Sequence, residues 1–118
     1  MRSAMSNEFY EAFVDTGVEG SIEVTLSGTP GDVTVITLPD SSKGFKLFPR
    51  TNAIRFSVNA TPAAVATSAT TPIAASAFAI GGIAKENLWE IRLLPPGTSR
   101  TLNLRSITAS VVIDIEVF

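Results

Sequence analysis

The chain of 118 residues contains no histidine and no cysteine, so the side chains that most often perform chemistry are missing before any spacing is considered. Without histidine there is no ready general base, and the commonest metal ligand is gone. A zinc site lacks its usual donors. Nucleophile systems that need a histidine base are excluded. Gly81-Gly82 by itself matches neither of the glycine-rich phosphate fingerprints. Carboxylates remain. Asp114 and Glu116 stand two apart in an alternating segment, so on a strand they face the same way, roughly 6–7 Å apart. Such a pair can hold a hard cation or work as acid and base. Alternation alone demands polar residues there, however, and a solvated sheet face, paired with Arg92 or Arg105 across strands, is the reading adopted. No catalytic residue, metal ligand or cofactor is assigned, and the chain is read as non-enzymatic.

Binding chemistry is the next candidate. Trp89 is the only tryptophan, and a lone exposed indole can serve as a sugar-stacking platform. It alternates in step with Ile91 and Leu93, which predicts a place in the core, since a platform must lie on the polar face. Phe9, Tyr10 and Phe13 are better placed for exposed aromatic contacts. Arg50, Arg55, Arg92, Arg100 and Arg105 outnumber the lysines of the same half of the chain. Arginine suits bidentate interface pairs. Ordinary outward-facing positions account for most of them, and Arg50 and Arg55 are retained as contact candidates.

These residues need elements to position them, and the sequence supplies strands. Ile22, Val24 and Leu26 alternate with polar neighbours, the mark of a half-buried strand. Val33, Val35 and Thr37 form a second alternating set on a β-branched stretch. A short strand runs from Phe45 to Phe48, up to Pro49. Ile54, Phe56 and Val58 share a face, with Arg55 and Ser57 opposite. Further strands follow over 88–94, with Trp89, Ile91 and Leu93 inward, over 100–105, and over 110–118, with Val111, Ile113, Ile115 and Val117 inward. Turn residues such as Ser27-Gly28-Thr29-Pro30-Gly31 and Pro95-Pro96-Gly97 separate them.

The expectation is an all-β, antiparallel β-sandwich, jelly-roll-like, of about seven or eight short strands. Residues 21–118 form its single domain, preceded by an arm over 1–20 that is either a short helix or extended. The length permits one real core and not two.

One stretch does not fit an ordinary sandwich. No charged residue lies between Arg55 and Lys85, and residues 60–83 are dominated by alanine, threonine and serine. A loose surface loop is one reading. Disordered linkers, though, are normally charged and poor in apolar groups. Apolar surface without charge needs a cover, which favours a segment packed on a neighbouring subunit, with Ile73, Phe78, Ile80 and Ile83 as anchors.

Composition narrows the partners. Hydrophobic residues make up 45% against 17% charged, and the formal net charge is −2. Nucleic-acid binders usually carry a basic footprint, and the nine cations here are scattered. Neither nucleic acid nor an anionic membrane is expected, and a small-molecule ligand is not favoured. No apolar run approaches the ~18 residues that span a bilayer, and no secretory signal is visible at the start, so synthesis in the cytoplasm is expected.

Two stretches carry a resemblance: GFKLFPRTNAIRFSVN, residues 44–59, and NLWEIRLLPPGTSRTLNLRSITASVVIDIEVF, residues 87–118. In the run of strand, Pro-Gly turn, Arg-x-Leu-x-Leu-Arg-Ser strand and β-branched final strand they resemble small virion proteins of tailed bacteriophages. Capsid decoration (cement) proteins are the most similar class. The resemblance implies a homo-oligomer, a trimer over the shell's local symmetry axes, bound to a major capsid or other virion protein. It also implies a virion location. A head–tail or tail accessory protein would read nearly the same, and a carbohydrate- or receptor-binding module is the alternative from the residues.

Overall fold

The computed structural model describes residues 19–97 and 99–118. Eight strands account for nearly all its regular structure: β1 (Gly20–Leu26), β2 (Thr34–Thr37), β3 (Gly44–Pro49), β4 (Ile54–Val58), β5 (Gly82–Ala84), β6 (Glu90–Leu93), β7 (Thr101–Ser106) and β8 (Val111–Val117). One turn of 3-10 helix, Ala75–Ala77, interrupts the long β4–β5 connection.

Strand pairing follows a simple rule. β1 pairs with β8, β2 with β7, β3 with β6 and β4 with β5, all antiparallel. The chain is thus one long antiparallel ribbon whose arms are β1–β4 and β8–β5. Rolling the ribbon brings β3 against β8 and β4 against β7. Two four-stranded sheets result, ordered β1-β8-β3-β6 and β2-β7-β4-β5. This is a jelly roll, and the expected all-β antiparallel sandwich is the observed fold.

Alternation explains which residues fill it. Phe45 and Leu47 on β3, Val111, Ile113 and Ile115 on β8, Ile54 and Phe56 on β4, and Leu102 and Leu104 on β7 are buried between the sheets. Each such side chain stabilises the fold by roughly 1.5–3 kcal/mol relative to exposure. Phe45 meets Phe56 across the sandwich, edge to face, with centroids 6.0 Å apart. Phe118 is also buried; its N–H donates to the Gly44 carbonyl, and its own carbonyl accepts from the Lys43 and Gly44 amides. Gly44 is required there, because a Cβ would lie 2.6 Å from the Phe118 ring and 2.6 Å from the Arg92 carbonyl.

Two strands have the opposite face inward from that expected. In β2, Val35 is exposed, while Ile36 packs on the core and Leu38 just beyond is buried. The sequence there has two interleaved apolar sets, and the set ending in Leu38 reaches the interior. In β6, Arg92 is registered with Phe45 and Glu90 with Leu47. Both partners point inward, so Glu90 and Arg92 do as well. Trp89, Ile91 and Leu93 therefore face out, at 48%, 43% and 51% exposure, and Trp89 is not a core residue. Being an edge strand, β6 lies at the margin of the sandwich, where a long polar stem can line the interior and keep its head wet. Arg92 does so with its guanidinium 5.2 Å above the Phe56 ring.

Candidate functional site

Two surfaces stand out. The first is the β4–β5 connection, residues 59–81, built around Arg55. On β4 this residue faces away from the core, registered with Arg105 of β7 and Ile83 of β5. Although it is outward-facing, Arg55 is buried at 6% exposure, because the connection folds over it. Its Nε donates to the Ala63 carbonyl at 3.1 Å; its Nη2 donates to Ile80 at 3.0 Å and Ala79 at 3.5 Å. Arg105 adds a bond from Nη1 to the Pro62 carbonyl at 3.3 Å. The Ala63 N–H donates to the Ile80 carbonyl at 2.9 Å, closing the base of the loop.

No carboxylate pairs with Arg55 among the described residues, so backbone dipoles carry the whole compensation of its charge. Charge-assisted bonds of this kind are stronger than neutral ones. Gly81 allows the close approach: its φ is +116°, and a Cβ would lie 2.9 Å from the Phe56 carbonyl and 3.3 Å from Arg55 Nη2.

The ends of the loop are held, yet its large side chains are left out. Phe78 is 79% exposed, Ile80 61%, Ile73 59% and Val65 44%. Val65, Ile73 and Phe78, with half-exposed Ile83, line a hollow of about 290 Å3 that Arg55 also lines. The loop's own sequence places no charged side chain among them.

The second surface is the outer face of the β1-β8-β3-β6 sheet. Registers place Glu23, Asp114 and Phe48 in one row across β1, β8 and β3, and Ser21, Glu116 and Lys46 in the next. Trp89, immediately before β6, extends the first row by packing on Phe48, with ring centroids 4.9 Å apart and a 47° tilt. Ile91 extends the second, opposite Lys46. Arg50 clamps the far end: Nε and Nη2 donate to the two Asp114 oxygens at 2.9 and 2.5 Å, and Nη2 also meets Glu23 at 2.8 Å. The Asp114 hydrogen bond raises the Arg50 pKa against a smaller desolvation effect, with the charges of Asp114 and Glu23 adding to it. A cation whose pKa rises on folding contributes at every pH below its unfolded value, so this cluster persists through neutral and mildly alkaline pH.

The candidates from sequence divide accordingly. Phe9, Tyr10 and Phe13, like nearly all of the arm expected over 1–20, lie outside the described residues. Ile73, Phe78 and Ile83 line one hollow, whereas Ile80 is exposed but does not line it. Arg55 belongs with them but acts from beneath, as a tether. Arg50 lies on the other sheet, in an ion-paired cluster. The expected partners of the carboxylates differ: Asp114 pairs with Arg50, whereas Arg92 pairs with Glu90 at 2.8 Å and Arg105 holds Pro62. Among the described residues no group of three or more potential ligands converges on a metal position, and none of the described helices is long and apolar enough to cross a membrane.

Sequence reasoning missed the Trp89–Phe48 pair. The neighbouring Asn87, at φ 55°, and its N–H bond to the Pro49 carbonyl fix where β6 begins, but this does not reveal which face turns inward. No protein-family profile, curated protein or solved structure matches the chain.

Proposed function

We propose that the chain is a non-enzymatic structural subunit that associates with copies of itself through the Arg55-tethered loop, in the manner of a phage capsid decoration protein. The observation that carries this reading is a contradiction within one segment. The loop over 63–80 has both of its ends, at Ala63 and at Ala79–Ile80, pinned by a buried arginine, while Phe78, Ile80 and Ile73 project into water. Ordering a loop costs conformational entropy, and a solvated loop gains little from being ordered around exposed apolar groups. A neighbouring copy that covers those side chains supplies the missing gain, because contiguous exposed apolar surface marks an interaction site.

A rigid, prearranged surface loses less entropy on association than a flexible one. Bound to an assembled shell and not to free shell subunits, such a protein stabilises the shell by mass action. Capsid and lectin domains share the jelly roll, so the fold alone does not choose between them. The loop favours assembly.

Sedimentation of the purified full chain tests the reading. The expected result is a trimer of the 12.4 kDa chain, reduced to monomer by Phe78→Asp with an unchanged circular-dichroism spectrum. A wild-type chain that stays monomeric at all concentrations, alone and with isolated capsids, would overturn it.

A further inference from the structure

The outer face of the β1-β8-β3-β6 sheet carries an aromatic pair outside the core. Trp89 contributes nothing to the interior: it is 48% exposed and rests on Phe48, itself on the outward row of β3. Leaving a large ring half in water forgoes much of the stabilisation its burial would bring. Beside it is a hollow of about 370 Å3 lined by Ser21, Ile22, Glu23, Trp89, Asp114 and Glu116, within the size range of small-ligand sites.

The polar groups around the hollow differ in state. Asp114 is already oriented by the two-pronged contact from Arg50; an ionised carboxylate still has lone pairs to offer beyond the two so engaged. Glu116 and Ser21 make no side-chain hydrogen bond or ion pair among the described residues. One side of the hollow is therefore a flat apolar ring held in place by a second ring. The other is a set of acceptors, one preoriented and one unengaged, with a hydroxyl.

We infer that this hollow is a carbohydrate-binding site for a neutral pyranose. A pyranose ring has an apolar C–H face that stacks on an indole and a rim of hydroxyls that donate to carboxylates. The hollow presents both partners on one surface. Its charge sets the class further: Glu23, Asp114 and Glu116 line it, Arg50 is already engaged by two of the three, and Lys46, registered beside Glu116, does not line it. An anionic sugar meets like charge, while a neutral one meets acceptors. The site lies on the opposite sheet from the association loop, whose anchor Ile83 is on β5, so it does not depend on the proposed assembly.

The sole tryptophan is in the site, which makes intrinsic fluorescence a direct reporter. The full chain is titrated with cellotetraose and N-acetylchitotetraose, with sialyllactose as the acidic control. A saturable change in Trp89 emission with at least one neutral sugar is expected, and little with sialyllactose. Isothermal titration of Trp89→Ala and Glu116→Gln, each with an unchanged circular-dichroism spectrum, should show binding weakened by roughly tenfold or more. Phe78→Asp should bind like wild type, which separates this site from the association loop. The inference is overturned if neither neutral sugar changes the emission at about 10 mM, if only sialyllactose does, or if Trp89→Ala binds undiminished. It is equally overturned if Trp89→Ala lowers the sedimenting mass while no sugar shifts the emission, since the ring would then be a contact between copies.

Discussion

Arg55 and Arg100 are both buried arginines, at 6% and 4% exposure, and both hold loops by their backbone carbonyls without a carboxylate partner among the described residues. Arg100 donates from Nη2 to Asp40 at 2.7 Å and Pro39 at 3.4 Å, and from Nη1 to Pro95 at 3.0 Å. It thereby ties the β2–β3 and β6–β7 connections together. The first is polar, with Asp40, Ser41, Ser42 and Lys43, and Leu38, just beyond β2, is buried beside it. The Arg100 tether closes an end of the core. The Arg55 tether closes nothing comparable: it holds a loop whose large side chains stay in water. The same device closes the core in one place and holds an exposed apolar loop in the other; the second is the surface that the proposed function assigns to a partner.

This contrast can be broken by substitutions of graded effect. Arg100→Met should be the most damaging to stability, by about 2–3 kcal/mol in urea unfolding, since three carbonyls in two separate connections lose a charged donor. Part of that loss is offset because Arg100 Nε itself has no partner among the described residues. Arg55→Met should cost less, about 1 kcal/mol, because it releases the two ends of a single loop whose large side chains are already in water. Its larger signature is kinetic: limited proteolysis should cut within 63–80 in the variant and spare the wild type. Equal stability losses with no change in cleavage would erase the distinction between the two tethers.

Smaller still is Phe78→Ser, which should leave the urea midpoint within about 0.5 kcal/mol of wild type while lowering the sedimenting mass. A marked loss of stability in the isolated chain would mean that the ring is part of this chain's own packing. Arg50→Gln should leave the midpoint unmoved in high salt, where an exposed cluster with Glu23 and Asp114 is screened.

Much of the sandwich was legible because its strands carry one apolar set each. Ile54, Phe56 and Val58, and Val111, Ile113 and Ile115, alternate without competition, and they line the core as expected. Where two apolar sets overlap, as around Val35 and Ile36, alternation does not say which one wins. β6 is a different failure. Its pattern is clear, but the apolar face points out, because an edge strand's orientation is set by register with Phe45 and Leu47 on β3 and not by its own hydropathy. That error hid Trp89 from the surface. The charge-free loop was visible without coordinates, and Ile73, Phe78 and Ile80 within it are exposed. Arg55 was found as a candidate, but its role was not, because a side chain that bonds carbonyls 8 to 25 residues away leaves no local signature.

The central claim is that the loop over Arg55 is ordered in each chain and covered by another. Amide hydrogen exchange across residues 60–83, followed as the protein is diluted, tests it most directly. The Ala63 amide, bonded to Ile80, should be protected even in the dilute chain, and amides near Ile73 and Phe78 should gain protection as concentration rises. Rapid exchange throughout the segment, the same at every concentration, would contradict the claim.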